Sequence, residues 1–276
     1  MKGIVLAGGS GTRLHPLTLA TSKQLMPVYD KPMIYYPLST LMLAGIKDIL
    51  VITTPHEQEQ FKKLLGDGSQ WGIKLVFETQ AKPEGLAQAI LIAEEFLNHD
   101  LFALILGDNI FYGEGMGTAL SRMSGRPGAT VFAYEVPNPQ DYGVIEFSED
   151  GRASAIVEKP KNPKSNFAVP GLYFYDQQAV DLAKSLKPSN RGELEITDLH
   201  QLYLEQDLLN VEVLDKSHTW LDAGTLESLF LSAEGVRSIE QSIGKKINVP
   251  EEVAWRLGLI DDTKLIEQAE KYGKSG

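Results

Sequence analysis

The first chemically suggestive feature of the chain is a glycine-rich segment that directly follows a short apolar run near the N-terminus. The run ends in Gly8, Gly9 and Gly11, and the cations Arg13 and Lys23 follow. An apolar run bounded by glycines is typical of a buried strand. Glycines lack a Cβ, so their backbone N–H groups can converge on an anion, and the two cations add full positive charge. The segment therefore predicts a phosphate-binding loop.

Neither of two common phosphate motifs fits this loop. A dinucleotide fingerprint needs a third glycine where the chain has Leu14. A Walker-type loop needs Gly-Lys followed by Ser or Thr, and the chain has Gly11-Thr12-Arg13 instead. A phosphate site of another kind remains, and a plain glycine turn beside a solvated arginine is its structural alternative.

Two carboxylates follow apolar segments further along the chain. Asp108 comes directly after the run that ends at Gly107, and Asp222 follows Trp220 and Leu221 and precedes a helical stretch. Ligands of open α/β sheets bind at the carboxyl ends of strands, and the glycine loop leaves its strand at the same edge. Two carboxylates with phosphate oxygens suit Mg²⁺, so we predict a magnesium site. For Asp222 alone, an acid stabilised by a helix dipole is the alternative.

Two glutamines and another glycine are candidates for holding a nucleoside. Gly85 stands just before a predicted helix, so the backbone there can approach a flat ligand closely. Gln80 and Gln24 each carry a donor and an acceptor, which can pair with a pyrimidine edge. Hydrogen bonding at the protein surface is the alternative for both glutamines.

An acid and a base stand side by side at the end of a predicted strand. These residues are Glu158 and Lys159, and Pro160 follows them. Strand alternation predicts that they point to opposite faces, with one facing the cleft, although the proline could bend Lys159 inward. Glu158 could accept hydrogen bonds from sugar hydroxyls. An exposed ion pair is the alternative.

Composition restricts the class of ligand. The chain of 276 residues carries a net charge of −11, which argues against nucleic-acid or anionic-membrane partners because both need an extended basic face. Cysteine is absent, which excludes disulfides and thiolate metal sites and suits a reducing cytoplasm. No apolar run reaches the roughly 20 residues of a membrane span. We expect a cytoplasmic protein with small-molecule partners.

The elements that must position these residues alternate in the first part of the chain. Strands are predicted at 49–53, 74–78 and 101–106, and helices at 33–44, 57–65 and 86–97, with a bent or late start at Pro37. This alternation favours a parallel sheet with helices on both faces. Shorter strands are predicted at 130–135, 144–147, 153–158 and 171–175, with a turn at 148–151, and helices at 176–185, 193–205, 225–239 and within 250–272. We expect one domain over 1–276, with a core at 1–240 and a small helical extension at 241–276.

Together these motifs resemble the nucleotide-sugar pyrophosphorylases. The motifs that carry the likeness are residues 6–14 with Lys23, Gly85, 107–109, 142–143, 158–160, Val169, 192–198 and 220–222, with the longer stretches 29–37, 66–72 and 171–176. The likeness extends from residue 2 to about residue 260. It implies an α/β, Rossmann-like three-layer nucleotidyltransferase fold with a mostly parallel central sheet, a β-rich sugar-binding insertion and a C-terminal helical extension.

The resemblance also implies an activity: Mg²⁺-assisted, in-line transfer of a thymidylyl group from dTTP to glucose 1-phosphate by a homotetramer. The implied catalytic residues are Arg13, Lys23, Asp108 and Lys159, and the implied metal ligands are Asp108 and Asp222. The implied nucleotide-binding residues are Leu6, Gly8, Gly9, Gly11, Thr12, Arg13, Lys23, Gln24, Gln80, Gly85 and Asp108. The implied sugar-phosphate-binding residues are Asn109, Gly143, Glu158, Lys159, Val169 and Tyr173.

Three other functions remain open. A uridylyltransferase acting on the same or a related sugar phosphate would use the same chemistry, since thymine and uracil differ by one methyl group, worth only ~1–3 kcal/mol. A non-catalytic sensor of nucleotide sugars would bind the same ligands, but it would not need both cations and both acids. A dinucleotide-dependent dehydrogenase is disfavoured by the missing glycine.

Overall fold

A ten-stranded sheet forms the centre of the molecule in a computed structural model that covers residues 1–9 and 11–273. The strands of the chain are β1 (Lys2–Ala7), β2 (Pro27–Val28), β3 (Lys31–Pro32), β4 (Asp48–Thr53), β5 (Lys74–Thr79), β6 (Phe102–Leu106), β7 (Asn109–Gly113), β8 (Ala129–Glu135), β9 (Gly143–Phe147), β10 (Ala153–Glu158), β11 (Phe167–Ala168), β12 (Leu172–Tyr175), β13 (Leu209–Val213) and β14 (His218–Asp222). The central sheet has the order β10-β9-β11-β8-β12-β6-β1-β4-β5, and β13 pairs with β8.

Strand direction divides this sheet in two. The pairs among β6, β1, β4 and β5 are parallel, as the βαβ alternation predicts. From β12 outward through β8, β11, β9 and β10 the pairs are antiparallel, and only β13 runs parallel to β8. The β-rich part of the chain therefore extends the same sheet instead of forming a separate one.

Alternation along β1 explains why helices cover both faces. Val5 and Ala7 belong to one buried cluster, and Ile4 and Leu6 belong to another on the opposite face. The helices of the chain are α1 (Tyr35–Leu43), α2 (Gln58–Leu65), α3 (Gln88–Ile92), α4 (Glu94–Leu97), α5 (Met116–Met123), α6 (Ala179–Ser185), α7 (Ile196–Glu205), α8 (Leu226–Ile243), α9 (Pro250–Arg256) and α10 (Asp262–Tyr272). Helices α1 and α2 pack on the first face and α3, α6 and α7 on the second, which confirms the three-layer architecture.

Several predicted boundaries differ from those observed. Helix α1 starts late, at Tyr35, which places Pro37 in the first turn, where its missing N–H costs nothing. The helix predicted at 86–97 is divided into α3 and α4, although Ala93 N still donates to Ala89 O and Leu97 N to Ala93 O. The helix predicted at 225–239 continues to Ile243. Elements not predicted are β2, β3, β7, β11, β13, β14 and α5.

Two features determine where the C-terminal part of the chain lies. Helix α8 follows β14 directly and begins with a capping box formed by Thr225 and Ser228. Helices α9 and α10 come next, and buried Val253 and Ala254 of α9 join the same cluster as α1. Within residues 1–9 and 11–273, no helix combines the length and apolar character that crossing a bilayer requires.

Candidate active site

A cleft of about 470 Å³ opens at the carboxyl ends of β1 and β6. This volume lies within the ~300–1,000 Å³ typical of small-ligand sites. The sequence-predicted residues that line it are Leu6, Gly8, Gly9, Arg13, Lys23, Gln24, Gln80, Gly85, Asp108, Asn109, Gly143, Glu158, Lys159, Val169, Tyr173 and Asp222. Residues from widely separated segments of the chain are thus brought to one place.

Gly11 and Thr12 lie outside this lining and belong to the turn that carries Arg13. Gly11 is left-handed, with φ +59°, and precedes a 3₁₀ turn over Thr12–Leu14. Its carbonyl oxygen accepts a hydrogen bond of 2.8 Å from Thr18 Oγ1. The turn presents Arg13 to the cleft with its side chain exposed to solvent. Contact of Gly11 or Thr12 with a nucleotide stays a prediction.

Asp108 and Lys23 form a largely buried ion pair in the cleft. Their side chains are only 11% and 13% exposed, and Lys23 Nζ contacts Asp108 Oδ2. Burial acts to raise the pKa of Asp108, but the Lys23 ammonium and the amide of Asn109 outweigh it and hold that pKa below its usual value. Asp108 is therefore an ionised carboxylate at neutral pH.

Asp222 lies next to Asp108 because two neighbouring strands hold the two residues together. In the antiparallel pair of β7 and β14, Asp222 stands opposite Asn109, and Ala223 N donates to Asp108 O at 3.0 Å. Burial and then the negative charge of Asp108 raise the pKa of Asp222 to about 7, against the lowering effect of the nearby cations. The two carboxylates repel each other, so this part of the cleft favours an additional positive charge.

The donor set here fits a hard divalent cation that binds together with a phosphorylated ligand. Asp108 and Asp222 supply carboxylate oxygens. Among residues 1–9 and 11–273 there is no group of three or more His, Cys, Asp or Glu side chains arranged to hold a metal. A cation such as Mg²⁺ commonly takes one or two carboxylates and completes its octahedron with waters and substrate phosphates. The site suits that mode of binding, in which the ligand supplies part of the coordination.

The nucleoside candidates contribute complementary atoms. The amide nitrogen of buried Gln80 donates to Gly85 O at 3.1 Å and to Gln88 Oε1 at 2.6 Å, which leaves its Oε1 as the polar atom available to a ligand. Buried Gln24 instead accepts from Ser22 Oγ at 2.6 Å through its Oε1, which leaves its amide hydrogens. An acceptor and a donor for a base edge would therefore come from different glutamines.

Glu158 and Lys159 both line the cleft, so the prediction from alternation that they point to opposite faces is wrong, and the alternative in which Lys159 bends inward is confirmed. Alternation requires extended backbone, and Lys159 has a left-handed φ of +43° immediately after β10 ends. Its backbone N–H donates to Tyr142 O at 3.0 Å, and its Nζ lies 3.8 Å from Glu158 Oε1. Burial raises the pKa of Glu158, and Glu195 raises it further, while Lys159 and Arg191 act in the opposite direction.

Sequence reasoning missed a cation at this end of the cleft. Arg191 lies in the segment between α6 and α7, where its guanidinium contacts Glu195 Oε2 at 2.8 Å and Glu193 Oε2 at 2.9 Å and lies 3.8 Å from Glu158 Oε1. Other lining residues without a predicted role are Pro83, Leu86, Leu106, Asp141, Tyr142, Gly171, Glu193, Glu195, Ile196, Thr197 and Trp220. The only sequence signal near Arg191 was the family motif at 192–198, because an irregular segment has no periodicity that assigns its side chains to a site.

Comparison with known proteins places this chain in a family. The family model described as Nucleotidyl transferase matches residues 2–238, and the chain belongs to that family. It is 57% identical over its full length to a Mycolicibacterium smegmatis protein named Glucose-1-phosphate thymidylyltransferase, of which it covers 96%. A Neisseria meningitidis protein of the same name is 56% identical, with the same coverage.

Solved structures agree in fold. A crystal structure from Bacillus anthracis, of a candidate glucose-1-phosphate thymidylyltransferase in complex with sucrose, superposes with a TM-score of 0.80 at 39% identity, covering 86% of this chain and 95% of that one. A UDP-glucose pyrophosphorylase in complex with UDP-glucose superposes with a TM-score of 0.75 over 86% of this chain and 98% of that one. At 24% identity, the second likeness concerns the fold alone.

Proposed function

We propose that this chain transfers the thymidylyl group of dTTP to glucose 1-phosphate, which yields dTDP-glucose and pyrophosphate. The observation that carries the proposal is the arrangement of charge in one cleft. Arg13, Lys23 and the carboxylates Asp108 and Asp222 lie in the same cavity as Glu158 and Lys159 of the second half of the chain. Such a cleft can hold two anionic substrates at once, and the names of the full-length relatives indicate which substrates these are.

The reaction needs positioning more than proton transfer. A sugar phosphate has a second pKa near ~6 and is already an anionic nucleophile at neutral pH. One of its oxygens attacks the α-phosphorus of dTTP, and the bond to the β-phosphate breaks, so that pyrophosphate leaves with the electron pair. Lys159 holds the sugar phosphate, and Arg13 and Lys23 hold the triphosphate and oppose the negative charge that develops at the α-phosphorus.

The ion that we propose is Mg²⁺, held by Asp108 and Asp222. When bound, it would neutralise part of the phosphate charge and shorten the distance at which two anions can approach each other. Lys23 is paired with Asp108. Competition by a cation for that carboxylate would release Lys23 for the triphosphate.

The remaining proposed contacts follow the division of the cleft. We assign Leu6, Gly8, Gly9, Gln24, Gln80 and Gly85 to the nucleotide, and Asn109, Gly143, Glu158, Val169 and Tyr173 to the sugar phosphate. Arg191 supplies a second cation to the sugar-phosphate end, since it lies beside Glu158 in the lining.

One assay tests the reaction and the choice of base. The protein is incubated with Mg²⁺, glucose 1-phosphate and either dTTP or UTP, and pyrophosphate release is followed with time. We expect turnover with dTTP and weaker turnover with UTP, and no turnover by the double variant Asp108→Asn/Asp222→Asn. Preference for UTP would make the chain a uridylyltransferase. Tight binding of dTDP-glucose without pyrophosphate release would identify a sensor instead.

We further propose one cytoplasmic domain with a small helical extension, assembled as a homotetramer. The exposed apolar side chains Leu226, Phe230 and Leu231 of α8, at 48%, 60% and 51% exposure, suit a contact between subunits. Light scattering coupled to gel filtration tests the assembly, and a monomeric mass at micromolar concentration would contradict it.

A further inference from the structure

The amide of Asn109 is held in a single orientation beneath the cleft. The residue is only 2% exposed, and its Oδ1 accepts from Gly171 N at 2.9 Å and from Trp220 Nε1 at 2.7 Å. A backbone amide and an indole N–H can only donate. Exchanging the oxygen and nitrogen of the Asn109 amide would bring donors against donors, so the two partners fix which end of the amide faces them.

The opposite end of the same amide is directed to Asp108. Asn109 Nδ2 donates to Asp108 Oδ1 at 3.1 Å, and Lys23 Nζ contacts the other carboxylate oxygen. An ionised carboxylate only accepts hydrogen bonds, so it matches the fixed donor. The orientation of the Asp108 carboxylate therefore depends on an amide that is itself held from behind.

Trp220 is well placed to hold that amide because its ring cannot turn freely. It is 7% exposed and lies edge-on to Tyr142 and Tyr134, with ring centroids 5.1 and 5.8 Å away. In the pair of β7 and β14 it stands opposite Phe111, two residues before Asp222. One indole thus shares its strand with one carboxylate and reaches the other through Asn109.

We propose that Trp220 is a positioning residue for the reaction: its Nε1–H, acting through the Asn109 amide, fixes the carboxylate of Asp108 in the place where it meets the cation and the nucleotide. The inference rests on the proposed function only for its kinetic consequence. Partners that orient a metal ligand in this way contribute about 10–100-fold to metal affinity or activity when they are removed.

The chain offers matched controls, because it contains three tryptophans with different indole partners. Trp220→Phe removes the N–H and keeps an aromatic ring. Trp255→Phe removes an equally short indole hydrogen bond, of 2.7 Å to Asp262, at the start of α10. Trp71→Phe changes a buried ring whose indole nitrogen has no hydrogen-bond partner among the described residues. Trp255→Phe controls for the loss of an indole hydrogen bond, and Trp71→Phe controls for the loss of ring packing. An additional effect of Trp220→Phe therefore comes from the lost contact with Asn109.

Steady-state kinetics give the first test. For Trp220→Phe we expect kcat to fall roughly 10- to 100-fold, with a higher Mg²⁺ concentration at half-maximal rate. Trp255→Phe and Trp71→Phe should retain wild-type kinetics in protein that is still folded. If Trp220 acts through Asn109, adding Trp220→Phe to Asn109→Ala should reduce kcat no further. Full additivity of the two changes, or wild-type kinetics in Trp220→Phe, would overturn the proposal.

A second readout needs neither metal nor activity. In metal-free protein labelled with ¹⁵N, the three indole N–H groups give three resonances. Asn109→Ala should shift the Trp220 resonance and leave those of Trp71 and Trp255 in place. An unmoved Trp220 resonance would contradict the contact itself. A wild-type protein without nucleotidyl transfer would instead overturn the proposed function, and the resonance would still test the contact.

Discussion

The two ends of the cleft hold their cations in different ways. At the nucleotide end, Lys23 is 13% exposed and paired with a single buried carboxylate, Asp108. At the sugar-phosphate end, Lys159 and Arg191 are 45% and 44% exposed and lie among the carboxylates Glu158, Glu193 and Glu195. Buried pairs are costly to break, whereas half-exposed pairs are screened by solvent and contribute little.

This contrast indicates different tasks. The nucleotide end is set by the parallel strands β1 and β6 and by one tight ion pair. At the sugar-phosphate end, Lys159 is half-exposed and 3.8 Å from Glu158 Oε1, so it can exchange its carboxylate partner for a phosphate at small cost, whereas two hydrogen bonds to buried Glu195 hold Arg191 more firmly. We therefore expect substitutions at the nucleotide end to change the rate of the chemical step, and those at the sugar-phosphate end to change the affinity for the sugar.

The largest effect is expected at the nucleotide end, from Arg13→Ala. Arg13 is the exposed cation of the glycine loop, and by the proposed mechanism it opposes charge that develops at the α-phosphorus. Removal of one such group costs roughly 10²–10³ in kcat. Steady-state assays should find that loss with little change in the KM for glucose 1-phosphate. Arg152→Ala, on the exposed turn after β9, is the matched control and should behave as wild type. A pure KM effect in Arg13→Ala would break the contrast between the two ends.

The next-largest effect is expected from Gly85→Ala, in the loop that joins the two ends of the cleft. Leu194 N donates to Glu84 O at 2.8 Å and Ala87 N donates to Leu194 O at 3.1 Å, which ties the loop beside Gly85 to the segment that carries Arg191. A Cβ on Gly85 would lie 2.5 Å from Leu194 N, and its φ is +107°. We expect Gly85→Ala to lower the free energy of unfolding by about 2–4 kcal/mol and to raise the KM of both substrates.

The control for this change is Gly151→Ala. Gly151 has a φ of +80°, and no atom lies within 4 Å of the point that a Cβ would occupy, so the substitution adds backbone strain without a clash. Its cost should be only about 1–2 kcal/mol, with unchanged kinetics. Denaturant unfolding and initial rates measure both variants. Equal costs for the two glycines would mean that the contact with Leu194 does not matter.

A smaller effect is expected from Lys159→Ala at the sugar-phosphate end. Hydrogen bonds to charged groups contribute ~1.5–3 kcal/mol, so the KM for glucose 1-phosphate should rise roughly 10- to 100-fold while kcat at saturation changes little. Lys164→Ala removes an exposed lysine that is paired with Glu146, and it should leave the KM unchanged. If Lys159→Ala raised the KM for dTTP equally, the assignment of this end to the sugar phosphate would be wrong.

The difference between the nucleotide end and the sugar-phosphate end of the cleft also explains which site residues could be predicted from sequence. Asp108 was predictable because it follows a fully apolar strand after a single glycine, and strand ends in a parallel sheet meet at one edge. Alternation alone gave no such prediction for Lys159, because its inward placement depends on a left-handed backbone, and only Pro160 indicated that the chain could bend there. Strand β14 was missed for a related reason. It pairs with β7, more than a hundred residues earlier, and such long-range pairing leaves no local pattern.

Arg191 shows most plainly which kind of site residue local sequence cannot predict. Its position depends on Glu195 and on Ser189, whose hydroxyl donates to Glu195 Oε1 at 2.6 Å, within residues 186–195, which are irregular although a helix was predicted from residue 193. Local sequence can predict residues that regular elements carry. Residues held by contacts within irregular segments need the structure or a family likeness.

The smallest expected effect distinguishes the two carboxylates of the nucleotide end. In metal-free protein, Asp222 should make the free energy of unfolding depend on pH. The pKa of Asp222 is about 7 in the folded protein, because of burial and the charge of Asp108, against 3.8 in the unfolded chain. Between these values the folded state holds a proton that the unfolded state has lost, so stability falls as pH rises. In EDTA, the free energy of unfolding of the wild type relative to that of Asp222→Asn should drop by about 2 kcal/mol from pH 5.5 to 7. Taking this difference removes the opposite contribution of buried His200, whose pKa is lowered to about 3 in both proteins. Mg²⁺ with dTTP should reduce the difference by favouring the ionised carboxylate. Equal slopes in the two proteins would assign the proton to another group and would leave the two carboxylates without the repulsion that makes this end of the cleft attract a cation.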